Sequence, residues 1–222
     1  MKAKVLLTIF MVGCFAALGF SQITKTSHGY LFRYKYVKGR KYTYTFTGSI
    51  ATPGSSAGIK VDGPFIETVN SVKGTSGQLT ITLGPLSSGG KQAVAKVVRI
   101  FTANSVGGVA DKTVQQMLTQ YPEKPIKPGD TWTGQTSAAA MGSKSLVKAK
   151  YKFEKMTTVN GKPAAQIAMT MTSTGAANAS GGGTLLVLAE DGSLWSTQTS
   201  LSMSPPQDPG KVMHMKMGMT RH

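Results

Sequence analysis

The chain is poor in the residues that carry most chemistry. Its 222 residues include one cysteine, nine acidic residues, three histidines and two tryptophans. The single cysteine, Cys14, lies inside the leading apolar segment. Once that segment is removed, the chain has no disulfide, thiolate nucleophile or cysteine zinc site, although export would take it where disulfides can form. The histidines, His28, His214 and His222, do not form a ligand pair at helical spacing, which argues against a zinc-hydrolase centre. The carboxylates are scattered, so a paired-carboxylate glycosidase has little to be built from. Asp130, Glu190 and Asp191 stand in turn contexts, where local backbone hydrogen bonding is the ordinary role of such residues. Long apolar runs are also missing, apart from Val5 to Phe20.

That one run defines the start of the chain. "MKAKVLLTIFMVGCFAALGFSQ" sets Lys2 and Lys4 before an apolar stretch and ends in small and polar residues, the pattern of an export signal rather than a stable span. Residues 1–21 are expected to be the signal peptide, with cleavage after Ser21, and 22–222 a single β-rich domain in the periplasm or outside the cell. A competing reading takes "MVGC" as a lipoprotein box that would anchor the protein through Cys14. Met11 suits that box poorly, and the residues after Cys14 stay apolar.

Basic residues are abundant. Twenty-five Lys and Arg give a formal net charge of +16, and removal of Lys2 and Lys4 leaves it strongly positive. Such a charge favours anionic partners, namely acidic lipid headgroups or a glycan surface, and export argues against nucleic acid. Dispersed lysine also keeps sheet faces soluble and sheet edges unpaired.

Period-two alternation dominates the mature chain. "LFRYKYV" places Phe32, Tyr34 and Tyr36 on one face and Arg33 and Lys35 on the other; "KYTYTFT" and "VKAKYKF" repeat the pattern. Alternation bounded by Gly, Pro, Asn and Ser clusters is strand grammar. The expected fold is all-β, a curved antiparallel sheet or half-open barrel. One short helix is expected at "DKTVQQMLTQY", where apolar residues recur at three- and four-residue spacing and Pro122 ends the run. "TVNSVKGTSGQLTIT" and "TVNGKPAAQIAMT" resemble each other, which suggests two sheet halves joined at about 105–131.

Catalytic motifs fail on context. "GSSAG" at 54–58 matches a nucleophile-elbow string but lies between strand-like segments after Pro53; "SLVK" and "SGGK" lack their companion motifs; "GPLSSGGK" misses phosphate-loop spacing. No catalytic residue and no cofactor is expected. Trp132 and Trp195 are expected in the core or at its rim rather than stacked on a sugar.

"PEKPIKPGDTW", "VNGKPAAQI" and "EDGSLWSTQTSL" resemble segments of secreted bacterial β-domains likened to the half-barrel lipid carriers of the LolA and LppX type. The resemblance covers most of the mature chain and implies a curved sheet around an apolar cavity able to hold lipid chains. No site residue transfers by motif. On that expectation a concave face lined by Tyr34, Tyr36, Tyr44, Phe46 and Ile81, with Tyr151, Phe153, Met169 and Met171, takes a lipid or other apolar ligand by area burial. The bland counterpart is a solid core of the same residues.

The C-terminal "VMHMKMGMTRH" carries Met213, Met215, Met217 and Met219 at alternate positions around His214. Thioethers with imidazole suit monovalent copper, which gives a copper-binding alternative. Strand geometry would place His214 opposite its methionine neighbours and turn the methionines into a flexible apolar inner face. A third reading is a structural envelope protein that binds anionic polymer.

Overall fold

A computed structural model describes residues 21–51, 58–109, 118–137, 146–174, 178–204 and 212–222. They form the strands β1 (Ser21–Thr26), β2 (Gly29–Tyr34), β3 (Lys41–Ala51), β4 (Ile59–Lys73), β5 (Ser76–Leu83), β6 (Leu86–Ser88) and β7 (Lys91–Val94). After these come β8 (Val97–Ala103), β9 (Thr131–Ser137), β10 (Leu146–Val159), β11 (Lys162–Thr174), β12 (Asn178–Leu188), β13 (Leu194–Ser204) and β14 (Met213–Arg221). Of the expected signal peptide, residues 1–21, all but Ser21 lie outside those described.

The fold is all-β. Twelve strands join one antiparallel sheet that does not close into a barrel, while β1 and β2 form a separate hairpin. Alternation dictates this outcome: β3 reads exposed and buried in turn, with Tyr42, Tyr44, Phe46 and Ile50 inward, and β14 does the same with its four methionines. Period-two side chains can bury one face of a sheet only if the strand stays extended and in register.

Two meanders meet at the C-terminal strand. β3, β4, β5 and β8 lie in order on one side of β14, and β13, β12, β11, β10 and β9 on the other. The two similar segments both form hairpins, β4–β5 and β10–β11, each with a register shift in its first strand. The β10–β11 turn uses Asn160 and Gly161 at φ 49° and 76°. A two-residue hairpin turn of this type needs positive φ at both positions, which Asn and Gly supply.

Hairpin β1–β2 lies against the inner face. Phe32 packs edge-on to Phe153 with ring centroids 5.3 Å apart and stacks on Tyr121 at 5.4 Å. The Ile23 amide donates to the Ala189 carbonyl at 3.2 Å, and Tyr30 exchanges backbone bonds with Ile126. Arg33 donates through its guanidinium to the carbonyls of Phe32, Pro122 and Glu123, tying the hairpin to the proline-rich segment.

The helix expected over 111–121 falls mainly on residues outside those described. Its described end, 118–121, is not helical: Leu118 and Tyr121 are buried, and the Tyr121 amide donates to the Val106 carbonyl at 2.9 Å. Packing against the hairpin sets the course of the chain there, and local spacing does not.

Candidate functional site

The residues expected to line an apolar cavity come together, and they do so as core. Tyr34, Tyr36, Tyr44, Phe46 and Ile81 are buried, as are Tyr151, Phe153, Met169 and Met171, all in one cluster. Ring contacts join them to the hairpin and to one another, including Tyr34 with Tyr36 at 6.0 Å and Tyr44 with Phe65 at 5.9 Å. Buried hydroxyls are answered by backbone: Tyr34 donates to Thr119 O at 2.6 Å and Tyr36 to Asn104 O at 3.0 Å. Burial raises the phenol pKa of Tyr34, Tyr36, Tyr44 and Tyr151. Tyr34 and Tyr36 also reach a surface recess of 430 Å³ beside Arg33, Lys35, Val72 and Ser105. Trp132 is part-buried, stacks on Tyr151 at 5.3 Å and donates its indole N–H to Gln120 O at 2.7 Å, in keeping with a rim position.

The methionines occupy the inner face, three of them beside glycine gaps. Met169 pairs with Gly183, Met171 with Gly181 and Met217 with Gly48. A flexible unbranched side chain fills the volume that a missing neighbour leaves. His214 is exposed on the other face, where its ring hydrogen-bonds Ser202 at 3.1 Å, and His222 is exposed beside Thr45. The strand therefore separates both imidazoles from the four tail thioethers.

Sequence reasoning missed Glu67. It lies on β4 between Phe65 and Val69, faces inward and is 1% exposed. In register it stands between Tyr42 of β3 and Ile81 of β5. Among the described residues its Oε1 finds no hydrogen-bond partner, and burial pushes its pKa up to about 8. The signal was available, because in an alternating strand an acid at the same parity as two large apolar residues must be buried.

The turn acids split in role. Asp130 accepts from the Lys127 amide at 2.8 Å, and Glu190 pairs with Lys162 on the surface at 3.4 Å. Asp191 does more than cap its turn. Its carboxylate accepts from the amide and hydroxyl of Ser193, from Tyr42 Oη at 3.2 Å and from Arg221 Nη1 at 3.3 Å, while Arg221 also lies over the Tyr42 ring at 4.5 Å. Burial pushes the Asp191 pKa up, but the Ser193 hydrogen bonds with Arg221 and Tyr42 outweigh it and hold the group below its ordinary value. This cluster clamps the end of β14 to β3 and to the β12–β13 turn.

The outer face holds the feature that best fits a ligand. Reading across the strands, Lys60, Ser49, Lys216, Ser200, Gly182 and Thr170 make one row that continues to Lys150. The next row contains Asp62, Thr47, Gly218, Gln198 and Thr184. Where these rows cross β4, β3, β14, β13 and β12, the surface is recessed into an open trough of 700 Å³. Outward glycines Gly182 and Gly218 leave its floor without side chains. Close strand approach explains the neighbouring glycines: a Cβ at Gly181 or Gly183 would collide with the carbonyl oxygen of Ser200 or Gln198. Among the described residues, no ion pair engages Lys60, Lys216 or Asp62.

No protein-family model matches the chain, and no curated protein matches it. Among solved structures, DynF from the dynemicin biosynthesis pathway of Micromonospora chersina is similar over 93% of this chain and 95% of that one, at 8% identity and a TM-score of 0.27. So loose a likeness carries no argument.

Proposed function

We propose that this chain is an exported, non-enzymatic cell-envelope protein that binds an anionic polymer through the outer face of its sheet. The observation that carries the reading is the trough, with two lysines that make no ion pair among the described residues, above a floor of glycine and among hydroxyl and amide side chains. Outward Lys148, Lys150 and Lys152 on β10 extend the positive field beyond it. Unpaired cations on a hydroxyl-rich surface attract anionic chains over distance and hydrogen-bond them at contact, and salt screens the attraction. The test is retention of the mature protein on an immobilised anionic polysaccharide at rising ionic strength. Retention that falls steeply with salt supports the reading, and flow-through at low salt refutes it.

A second reading, carriage of a lipid or other apolar ligand, draws on the hairpin. β1 and β2 form a two-stranded sheet apart from the twelve-stranded one and lie over an inner face of aromatic and methionine side chains. Displacement of the hairpin would expose that face to an apolar chain. Lipid-sized mass retained on the intact mature protein in non-denaturing mass spectrometry would favour this reading over the first.

A further inference from the structure

The trough carries more than a sign of charge. We infer that it is a site for an acidic polysaccharide of the uronate type, laid across the strands with carboxylates on Lys60 and Lys216 and hydroxyls on the Thr, Ser and Gln side chains that line the trough around them. The assignment rests on the polymer-binding reading above and specifies its ligand and its place.

Three features select this chemistry. The first is spacing: Lys60 and Lys216 face each other across Ser49, two strands apart, or about 10 Å at the usual strand separation. A chain crossing the strands therefore meets a cation, the Ser49 hydroxyl, a second cation and then the Ser200 hydroxyl. The second is Asp62, which stands beside this row, paired in register with Thr47 and free of ion pairs among the described residues. Polyphosphate, charged at every unit and without hydroxyl groups between its charges, would set an anion against Asp62 at a like-charge cost. A sugar acid instead offers hydroxyls that donate to that carboxylate. The third is depth. With Gly182 and Gly218 at the floor, backbone and short hydroxyl side chains of five strands are reachable by a narrow chain. A flat bilayer would touch the protruding lysines without reaching them. Among the described residues no aromatic side chain lines the trough, so affinity comes from several charge-assisted hydrogen bonds rather than from ring stacking.

The test measures binding of the mature protein to polygalacturonate, to polyphosphate and to vesicles of anionic phospholipid, with folding checked by circular dichroism. Three variants separate place from charge. K60Q/K216Q removes the two trough cations. G218V fills the floor with no change of charge; its Cβ meets only the Thr47 hydroxyl at 3.1 Å and the Thr197 carbonyl at 3.5 Å. K148Q/K150Q/K152Q removes more charge from outside the trough. Polygalacturonate affinity is expected to fall by about tenfold or more in K60Q/K216Q, as two charge-assisted contacts are lost, to fall comparably in G218V, and to change little in the β10 triple variant. Binding that falls most in the triple variant and ignores G218V would overturn the trough while leaving general polyanion binding intact. Tighter binding to polyphosphate or to vesicles would overturn the ligand class. Binding to none of the three would refute the proposed function itself.

Discussion

Glu67 makes folding stability depend on pH between the ordinary carboxylate range and about 8. Its folded pKa is raised from 4.5 to about 8 by burial. Between those values the unfolded chain has released the proton while the folded chain keeps it, so the folded state binds more protons and stability falls as pH rises, by about 1.4 kcal/mol per pH unit. The loss attributable to Glu67 between pH 5 and pH 7 is about 2.5 kcal/mol, and it levels off above pH 8, where both states are ionised. The described histidines are exposed. Asp191, held low, titrates below this range. Glu67→Gln removes the ionisable proton with little change of shape. Urea unfolding of both proteins at pH 5, 6, 7 and 8 should show wild-type stability falling along that slope and a nearly level variant. Parallel curves would refute the reasoning, because they would mean that the carboxyl is hydrated or paired in the native state. Glu67→Leu should in addition stabilise the protein at pH 7, since an apolar side chain leaves no buried oxygen unsatisfied.

Asp191 has the opposite sign: its depressed folded pKa gives stability that is present above the ordinary carboxylate range and lost as pH falls through the folded value. Asp191→Ala should cost about 1–3 kcal/mol at pH 7, measured by chemical denaturation, and flatten the acid limb. Replacing Met213, Met215, Met217 and Met219 singly by leucine should cost less than about 1.5 kcal/mol each, read from thermal melts; loss of cooperative unfolding would contradict their role as adaptable core. Gly183→Val should destabilise by about 1–3 kcal/mol or more, because its side chain meets the Gln198 backbone, whereas Gly218→Val should unfold close to wild type.

The all-β fold was legible wherever one face of a strand is buried, because a single alternating pattern then fixes both extension and facing. The strand carrying "MHMKMGM" is the clearest instance, with the methionines inward and His214 outward as alternation requires. Its place at the centre of the sheet was not legible: β14 pairs with β3, some 170 residues earlier, and local patterning does not report long-range partners. The described end of the expected helix follows contacts with the hairpin and with Val106, information absent from its own spacing. The inner residues named from the sequence do gather, yet the sequence could not say that β1–β2 packs against them. The trough was missed because its residues are individually ordinary: Lys60, Ser49, Lys216 and Gly182 come from four strands and make a site only through register. Glu67 alone could have been found by counting parity along "PFIETVN".

The central claim, that the outer face is the binding face, is tested most directly by backbone nuclear magnetic resonance of the mature protein titrated with oligogalacturonate. The account predicts salt-sensitive shifts concentrated at 47–49, 60–62, 182–184, 198–200 and 216–220, with the hairpin at 21–34 unmoved. Shifts confined to the hairpin and the inner methionines would contradict it and point to an apolar ligand inside the fold.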